Sequence, residues 1–221
     1  MKQTKTGKKP RKTTAGPIRE KARTMKNLVA AVGKVLKKKG YPGLSIANIA
    51  VEAKVDRKLV YAYFGNLDNL VETYITEQDY WKTKAKKQIA KLLEQDQMSK
   101  EEMHGLLFGQ FETVLQDKTL QRILQWELSE PNTSLRKLAD AREEVGEELI
   151  QKLEKNIGKD GLDIRAVLAL QTAGLYYLAI HAKSNGSTFC GIDINEAEGR
   201  KRIETTLMDI LEKIDEKKNQ N

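Results

Sequence analysis

The sequence predicts an all-α protein, with a three-helix unit near the N-terminus followed by a larger helical domain. Apolar residues recur at three- and four-residue spacing in nearly every segment, and no stretch shows the period-two alternation of a half-buried strand. The prolines also respect this plan: Pro10 and Pro17 lie in a polar N-terminal stretch, Pro42 follows the first helical segment, and Pro131 separates two later ones.

Residues 1–17 are rich in Gly, Thr, Lys and Pro and read as a flexible basic arm. The first helix, about 18–39, carries Met25, Leu28, Val29, Val32, Val35 and Leu36 on one stripe. Lys37, Lys38 and Lys39 complement the dipole in its last turn, and Gly40 stops it. Two short segments follow, 45–53 and 56–64, then a helix over about 67–80 with Leu67, Leu70, Val71, Tyr74 and Ile75 on one side. This places a domain boundary near residue 80. Within 81–221, helices are expected at about 82–95, 100–116, 118–129, 134–157, 163–184 and 195–217, with Ser99 and Glu102 at capping-box spacing. Leu135, Leu138, Val145, Leu149, Leu153 and Ile157 form one amphipathic stripe, and Ile203, Leu207, Ile210, Leu211 and Ile214 form another. Residues 164–182 are apolar nearly all round, which a helix in water sustains only when neighbours or a second subunit enclose it.

Charge is distributed unevenly. The chain of 221 residues carries +8, and residues 1–23 hold Lys2, Lys5, Lys8, Lys9, Arg11, Lys12, Arg19, Lys21 and Arg23 against Glu20 alone, so the rest sums to zero. A neutral body with a basic end fits a polyanion partner, because each cation set against a phosphate releases condensed counterions. A solvated tail without a partner is the other reading. Cys190 is the single cysteine, which rules out an intramolecular disulfide or a cysteine-based zinc site and fits a reducing cytoplasm. No apolar segment of a secretory signal follows the N-terminal charges, and Gln171, Thr172 and His181 interrupt the most apolar run, so neither export nor a membrane span is expected.

The most informative stretch is LSIANIAVEAKVDRKLVYAYFGNLDNL, residues 44–70. Ser45 is placed to cap a short helix whose Ile46, Ile49 and Ala50 face inward. Lys54 and Val55 make a turn, Asp56 caps the next helix, and Val55 and Val60 supply its core contacts. This is helix-turn-helix geometry: the second helix stands off from the body so that its first residues enter the DNA major groove, about 12 Å wide. Arg57 and Lys58 occupy those positions.

The combination of a helix ending in Gly, Ser45 before Ile49-Ala50, Val55, Tyr61, Tyr63-Phe64 and Leu70 resembles the DNA-binding domain of the tetracycline-repressor (TetR) family over about residues 20–80. The resemblance implies that Arg57 and Lys58 meet bases or phosphates, that Tyr61 and Tyr63 present hydroxyls to backbone phosphate, and that Phe64 is core. Packing under the recognition helix is the alternative for the tyrosines, and ordinary solvated charge for Arg57 and Lys58. Three positions depart from the family pattern. Lys54 replaces the usual turn glycine, Leu59 stands where a small hydroxyl residue is common, and Leu67 replaces a lysine that usually meets phosphate. If Lys54 takes a left-handed conformation it costs about 1 kcal/mol more than Gly, which a phosphate contact from its charge would offset. With Ser45, Lys54, Arg57, Lys58, Tyr61 and Tyr63 as the expected DNA-binding residues, Arg11 and Lys12 of the arm are expected to reach an adjacent groove or phosphate.

Beyond residue 80 the resemblance implies a ligand-binding and dimerisation domain whose last two long helices pair with those of a second subunit. A two-fold dimer places two recognition helices about one DNA turn apart, or a multiple of it, on a palindromic site. Candidates to line a small-molecule pocket are His104, Phe108, Phe111, Trp126, Tyr176, Tyr177 and His181; Glu127 and Glu130 are read first as surface residues and second as partners of a cationic ligand. Aromatic residues at helical spacing also serve simply as core.

The expected partners are double-stranded DNA, a second copy of the chain and an unidentified effector; no cofactor is expected. Catalysis would have to use His104, His181 and Cys190, which come with no nucleophile–base spacing, phosphate loop or metal-ligand cluster. The expected function is a ligand-responsive repressor; the rival is an architectural DNA-binding protein on the same fold that senses nothing.

Overall fold

The computed structural model describes residues 16–157, 161–184, 186 and 188–214. Local capping chemistry sets the helix ends throughout. Helix α1 (Pro17–Lys39) stops where Gly40 takes φ 68° and donates its N–H to the Leu36 carbonyl. A single 3-10 turn, Tyr41–Gly43, leads to α2 (Ile46–Ala53), whose N-cap Ser45 accepts from the Asn48 N–H at 3.2 Å. Lys54 ends α2 in the left-handed conformation, φ 57° and ψ 45°, and Asp56 accepts the Lys58 N–H at 2.8 Å to open α3 (Lys58–Phe64). Gly65, at φ 81°, closes α3, and Asn66 caps α4 (Leu67–Gln78).

The second part runs α5 (Lys86–Glu94), α6 (Lys100–Gln116), α7 (Lys118–Ser129), α8 (Thr133–Glu154), α9 (Ile164–Ser184) and α10 (Ala197–Lys213). The expected capping box opens α6: Ser99 Oγ accepts from the Glu102 N–H at 3.1 Å, and the Glu102 carboxylate accepts from the Ser99 N–H at 2.9 Å. Two segments depart from the sequence expectation. Residues 82–85 make a turn, so α5 starts at Lys86 rather than near 82. Between α9 and α10 lies a small antiparallel hairpin, β1 (Thr188–Phe189) with β2 (Ile192–Asp193). Its two-residue loop is Cys190-Gly191, with φ 51° and 72°, the positive-φ pair that a tight hairpin turn requires.

Two apolar cores organise the molecule. One is built on Leu28, Val32, Leu36, Ile49, Val60, Leu70 and Ile75, and it also takes in Ile123 and Trp126 of α7 and Leu135 of α8. Leu106, Phe111, Leu149, Leu153, Leu175, Leu207 and Leu211 build the other, which joins α6, α8, α9 and α10. The helix-turn-helix unit is thus fastened to the larger domain by shared core residues. Tyr74 of α4 continues this joint. Its ring lies over Gly33 of α1, where an added Cβ would come 2.5 Å from the hydroxyl oxygen, and it shares a core with Ile123 and Trp126 of α7.

Polar contacts hold α4 to α8. Glu72 accepts from Ser134 at 3.4 Å and from Lys137 at 3.1 Å. Asp79, just past the end of α4, is completely buried: one carboxylate oxygen accepts the Trp81 N–H at 2.8 Å and the other lies 3.3 Å from Arg142 Nε. Among the described residues no helix is long and apolar enough to cross a membrane.

Candidate nucleic-acid interface

Because α3 is only seven residues long and buries Val60, its opposite side is left to solvent. Arg57, Lys58 and Tyr61 are exposed there, Tyr61 to 57 %, together with Ala62. Lys54 and Asp56 flank them, and neither Arg57 nor Lys58 has a carboxylate partner among the described residues. Five of the expected residues therefore share one edge: Lys54, Arg57, Lys58, Tyr61 and, at its margin, Tyr63. Ser45 stands apart in role, since its hydroxyl is committed to capping α2. Arg11 and Lys12 lie outside the described residues.

The two tyrosines differ. Tyr61 projects into solvent, whereas Tyr63 is half-buried and carries Lys21 of α1 over its ring, with Nζ 5.3 Å from the centroid. Tyr63 thereby ties α3 to the start of α1. Another pairing concerns the lysines that end α1. Lys38 Nζ is 2.8 Å and Lys34 Nζ 3.9 Å from the Glu52 carboxylate of α2, and the hydrogen bond from Lys38 holds that carboxyl below the usual range. Part of α1's positive end is thus neutralised within the protein, while Arg57 and Lys58 stay free.

Sequence reasoning missed Val51 and Ala62. Val51 is 79 % exposed on α2, where it helps line a shallow groove of about 440 Å³ with Ala47, Ala50, Lys54, Val55, Asp56 and Arg57. An apolar residue left in the open beside a row of cations was legible only as a break in the α2 pattern.

The candidate pocket residues do not converge. His104 stacks on Phe108 with centroids 6.0 Å apart and places Nε2 3.1 Å from the Glu204 carbonyl oxygen of α10. Phe108 in turn touches the buried Phe111. Trp126 sits in the core shared with the helix-turn-helix unit, stacked parallel to Tyr41 at 6.0 Å, and donates Nε1–H to Glu130 at 2.9 Å. Tyr177 and His181 stack with each other and meet Phe189 of the hairpin edge-on, at an accessible place on α9. Tyr176 is paired with Gln110, and burial pushes its hydroxyl up to about 12. Glu127 lies 3.7 Å from Arg142 Nη1, and burial raises its carboxyl against that attraction.

Two short helices meeting at a left-handed turn, with unpaired cations at the start of the second and a helical body behind them, form a helix-turn-helix, the motif whose second helix enters the DNA major groove. Residues 28–74 match the family model of the bacterial regulatory proteins of the tetR family. No curated protein sequence matches the chain.

Solved structures share the fold over nearly the whole length. The transcriptional regulator FadR from Bacillus subtilis, in complex with stearoyl-CoA, is 16 % identical with a TM-score of 0.62, the match covering 84 % of this chain and 96 % of that one. FadR from Bacillus halodurans, a fatty acid degradation regulator, is 19 % identical with a TM-score of 0.59, covering 89 % and 97 %. NalD from Pseudomonas aeruginosa, the secondary repressor of the MexAB-OprM multidrug efflux pump, is 17 % identical with a TM-score of 0.57, covering 87 % and 95 %. At these identities the likeness establishes the fold.

Proposed function

We propose that the chain is a cytoplasmic, sequence-specific repressor that binds a palindromic operator as a homodimer, is released by a small molecule, and catalyses no reaction. The observation that carries the reading is the unpaired, exposed Arg57 and Lys58 at the head of α3, on the edge where the fold offers a helix to the major groove. Dimerisation is supported by α9, where Ala166, Leu170, Ala173 and Tyr177 form an uncovered stripe at helical spacing and Leu170 is 75 % exposed. A face of small and apolar residues on a long helix suits a two-fold partner using the same face. Release by an effector is supported by the stearoyl-CoA bound in the Bacillus subtilis relative, and by a helix-turn-helix unit that shares its core with α7 and α8.

Selection from a genomic-fragment library at two salt concentrations tests the reading, with Arg57→Ala/Lys58→Ala in parallel. Enrichment of one palindrome by wild type, lost by the double variant, is the expected result. Equal binding of all fragments by both proteins, falling steeply with salt, points instead to a DNA-coating protein and ends the operator reading.

A further inference from the structure

Away from the edge formed by α2 and α3, a second cleft gathers cations that outnumber its carboxylates. It measures about 620 Å³ and lies where the end of α6 and the start of α7 meet the end of α9 and the start of α10. Leu115 and Gln121 line it between Lys118 of α7, Lys183 of α9 and Arg200 of α10, with Glu112 of α6 as its one acid. The four charged side chains sum to +2.

The way these cations are held is informative. Arg200 is anchored by neutral groups: its Nη1 donates to the carbonyl oxygens of Ile194 at 3.2 Å and Asn195 at 2.7 Å. Its Nε lies 3.6 Å from Glu112, which absorbs one charge. Lys183 donates to the neutral Asn195 side chain at 2.7 Å, and Lys118 has no partner among the described residues. Two charges therefore remain uncompensated in a concave space whose walls concentrate the field.

We propose that this cleft binds a phosphate-bearing small molecule and that occupancy is read at the DNA-binding domain, an inference that rests on the regulator reading above. A phosphate group carries close to two negative charges and several acceptor oxygens, which matches a +2 site of rotatable ammonium donors better than a monoanion does. The volume falls in the range of small-molecule sites, about 300–1,000 Å³, and admits a nucleotide-sized body.

The connection to DNA binding runs through α7. Lys118 is followed by the buried Thr119, and Tyr74 of α4, whose ring is seated on Gly33 of α1, shares one core with α7. Lys84, ahead of α5, reaches Asp117 at 3.6 Å beside the same junction. Further along α7, Ile123 and Trp126 enter the helix-turn-helix core. A ligand that draws Lys118 toward Lys183 and Arg200 shifts the start of the helix against which α1 and α4 are packed.

The test uses the full chain and inorganic phosphate, pyrophosphate and ADP as probes, titrated calorimetrically at constant ionic strength, with operator binding measured with and without each probe. Wild type is expected to bind ADP or pyrophosphate at one site per chain. Lys118→Gln/Lys183→Gln, whose exposed side chains can change without unfolding the protein, is expected to weaken that binding at least tenfold. Lys91→Gln on α5, outside the cleft, serves as the charge control and retains wild-type affinity. Tighter binding of ADP than of inorganic phosphate assigns the site to an organic phosphate; equal affinity assigns it to the free ion. No binding of any probe at millimolar concentration, or equal loss in the control, overturns the proposal. So does probe binding that leaves operator affinity unchanged, because the site is then not read at the DNA. Operator binding that persists without any probe effect removes the cleft and keeps the regulator, whereas a chain that selects no operator removes the regulator itself.

Discussion

Charge is used in opposite ways in the two halves of the molecule. At the head of α3 it stands in water without partners, whereas at the junction of α4, α7 and α8 it is folded inward, with Asp79 fully buried and Arg142 only 15 % exposed between Asp79 and Glu127. Exposed cations cost the fold little and stay available to phosphate. Buried charges have given up hydration and persist only because each holds the other. The first arrangement leaves charge available to a phosphate, and the second fixes how α4 is seated on the body.

Asp79→Ala sharpens this contrast most. It leaves Arg142 without its closest partner in a largely buried place, and a loss of about 3–5 kcal/mol is expected in denaturant unfolding. An unchanged unfolding midpoint would break the comparison. The reverse pattern is expected of Arg57→Ala/Lys58→Ala: operator affinity falls by about 2–4 kcal/mol, while the melting temperature stays within experimental scatter.

Two smaller effects separate structural from contact roles on the cationic edge of α2 and α3. Ser45→Ala removes the α2 cap and is expected to cost about 1 kcal/mol of stability by chemical denaturation. A weakening of DNA binding without any loss of stability would instead make Ser45 a phosphate contact. Lys54→Gly relaxes a left-handed residue and should raise stability by up to about 1 kcal/mol. If Lys54 also meets phosphate, the same variant shows a shallower salt dependence of operator binding.

The smallest effect tests the buried side alone. Burial raises the Glu127 carboxyl, so its native value lies above its unfolded one. Such a group favours the folded state when protonated, a contribution complete below the unfolded value and lost as pH rises through the native one. Glu127→Gln is accordingly expected to raise the melting temperature by about 2 °C at pH 7 and to leave it nearly unchanged at pH 4. A lower melting temperature at pH 7 would show that the attraction of Arg142 outweighs burial.

Much of the architecture was legible because it is governed locally. Gly40, Ser45, Asn66 and the Ser99/Glu102 box mark helix ends through bonds between near neighbours, and α6 and α7 run over the residues their periodicity predicts. The helix-turn-helix was legible for a related reason, since its exposed and buried positions alternate within some twenty-five residues. The hairpin at 188–193 escaped because strands of two residues carry no period, and only Cys190-Gly191 hinted at the turn.

By itself, the sequence determined an all-α chain, a helix-turn-helix near its start and the cations that head its second helix, because caps, periodicity and short turns act over a few residues. Tertiary structure alone decided that Trp126 stacks on Tyr41, that Asp79 and Glu127 share Arg142, and that Lys118, Lys183 and Arg200 face one cleft. These residues are distant in the chain, and their meeting depends on which faces of several amphipathic helices pack together. An amphipathic pattern states that a face is buried, and only the assembled core selects what it is buried against.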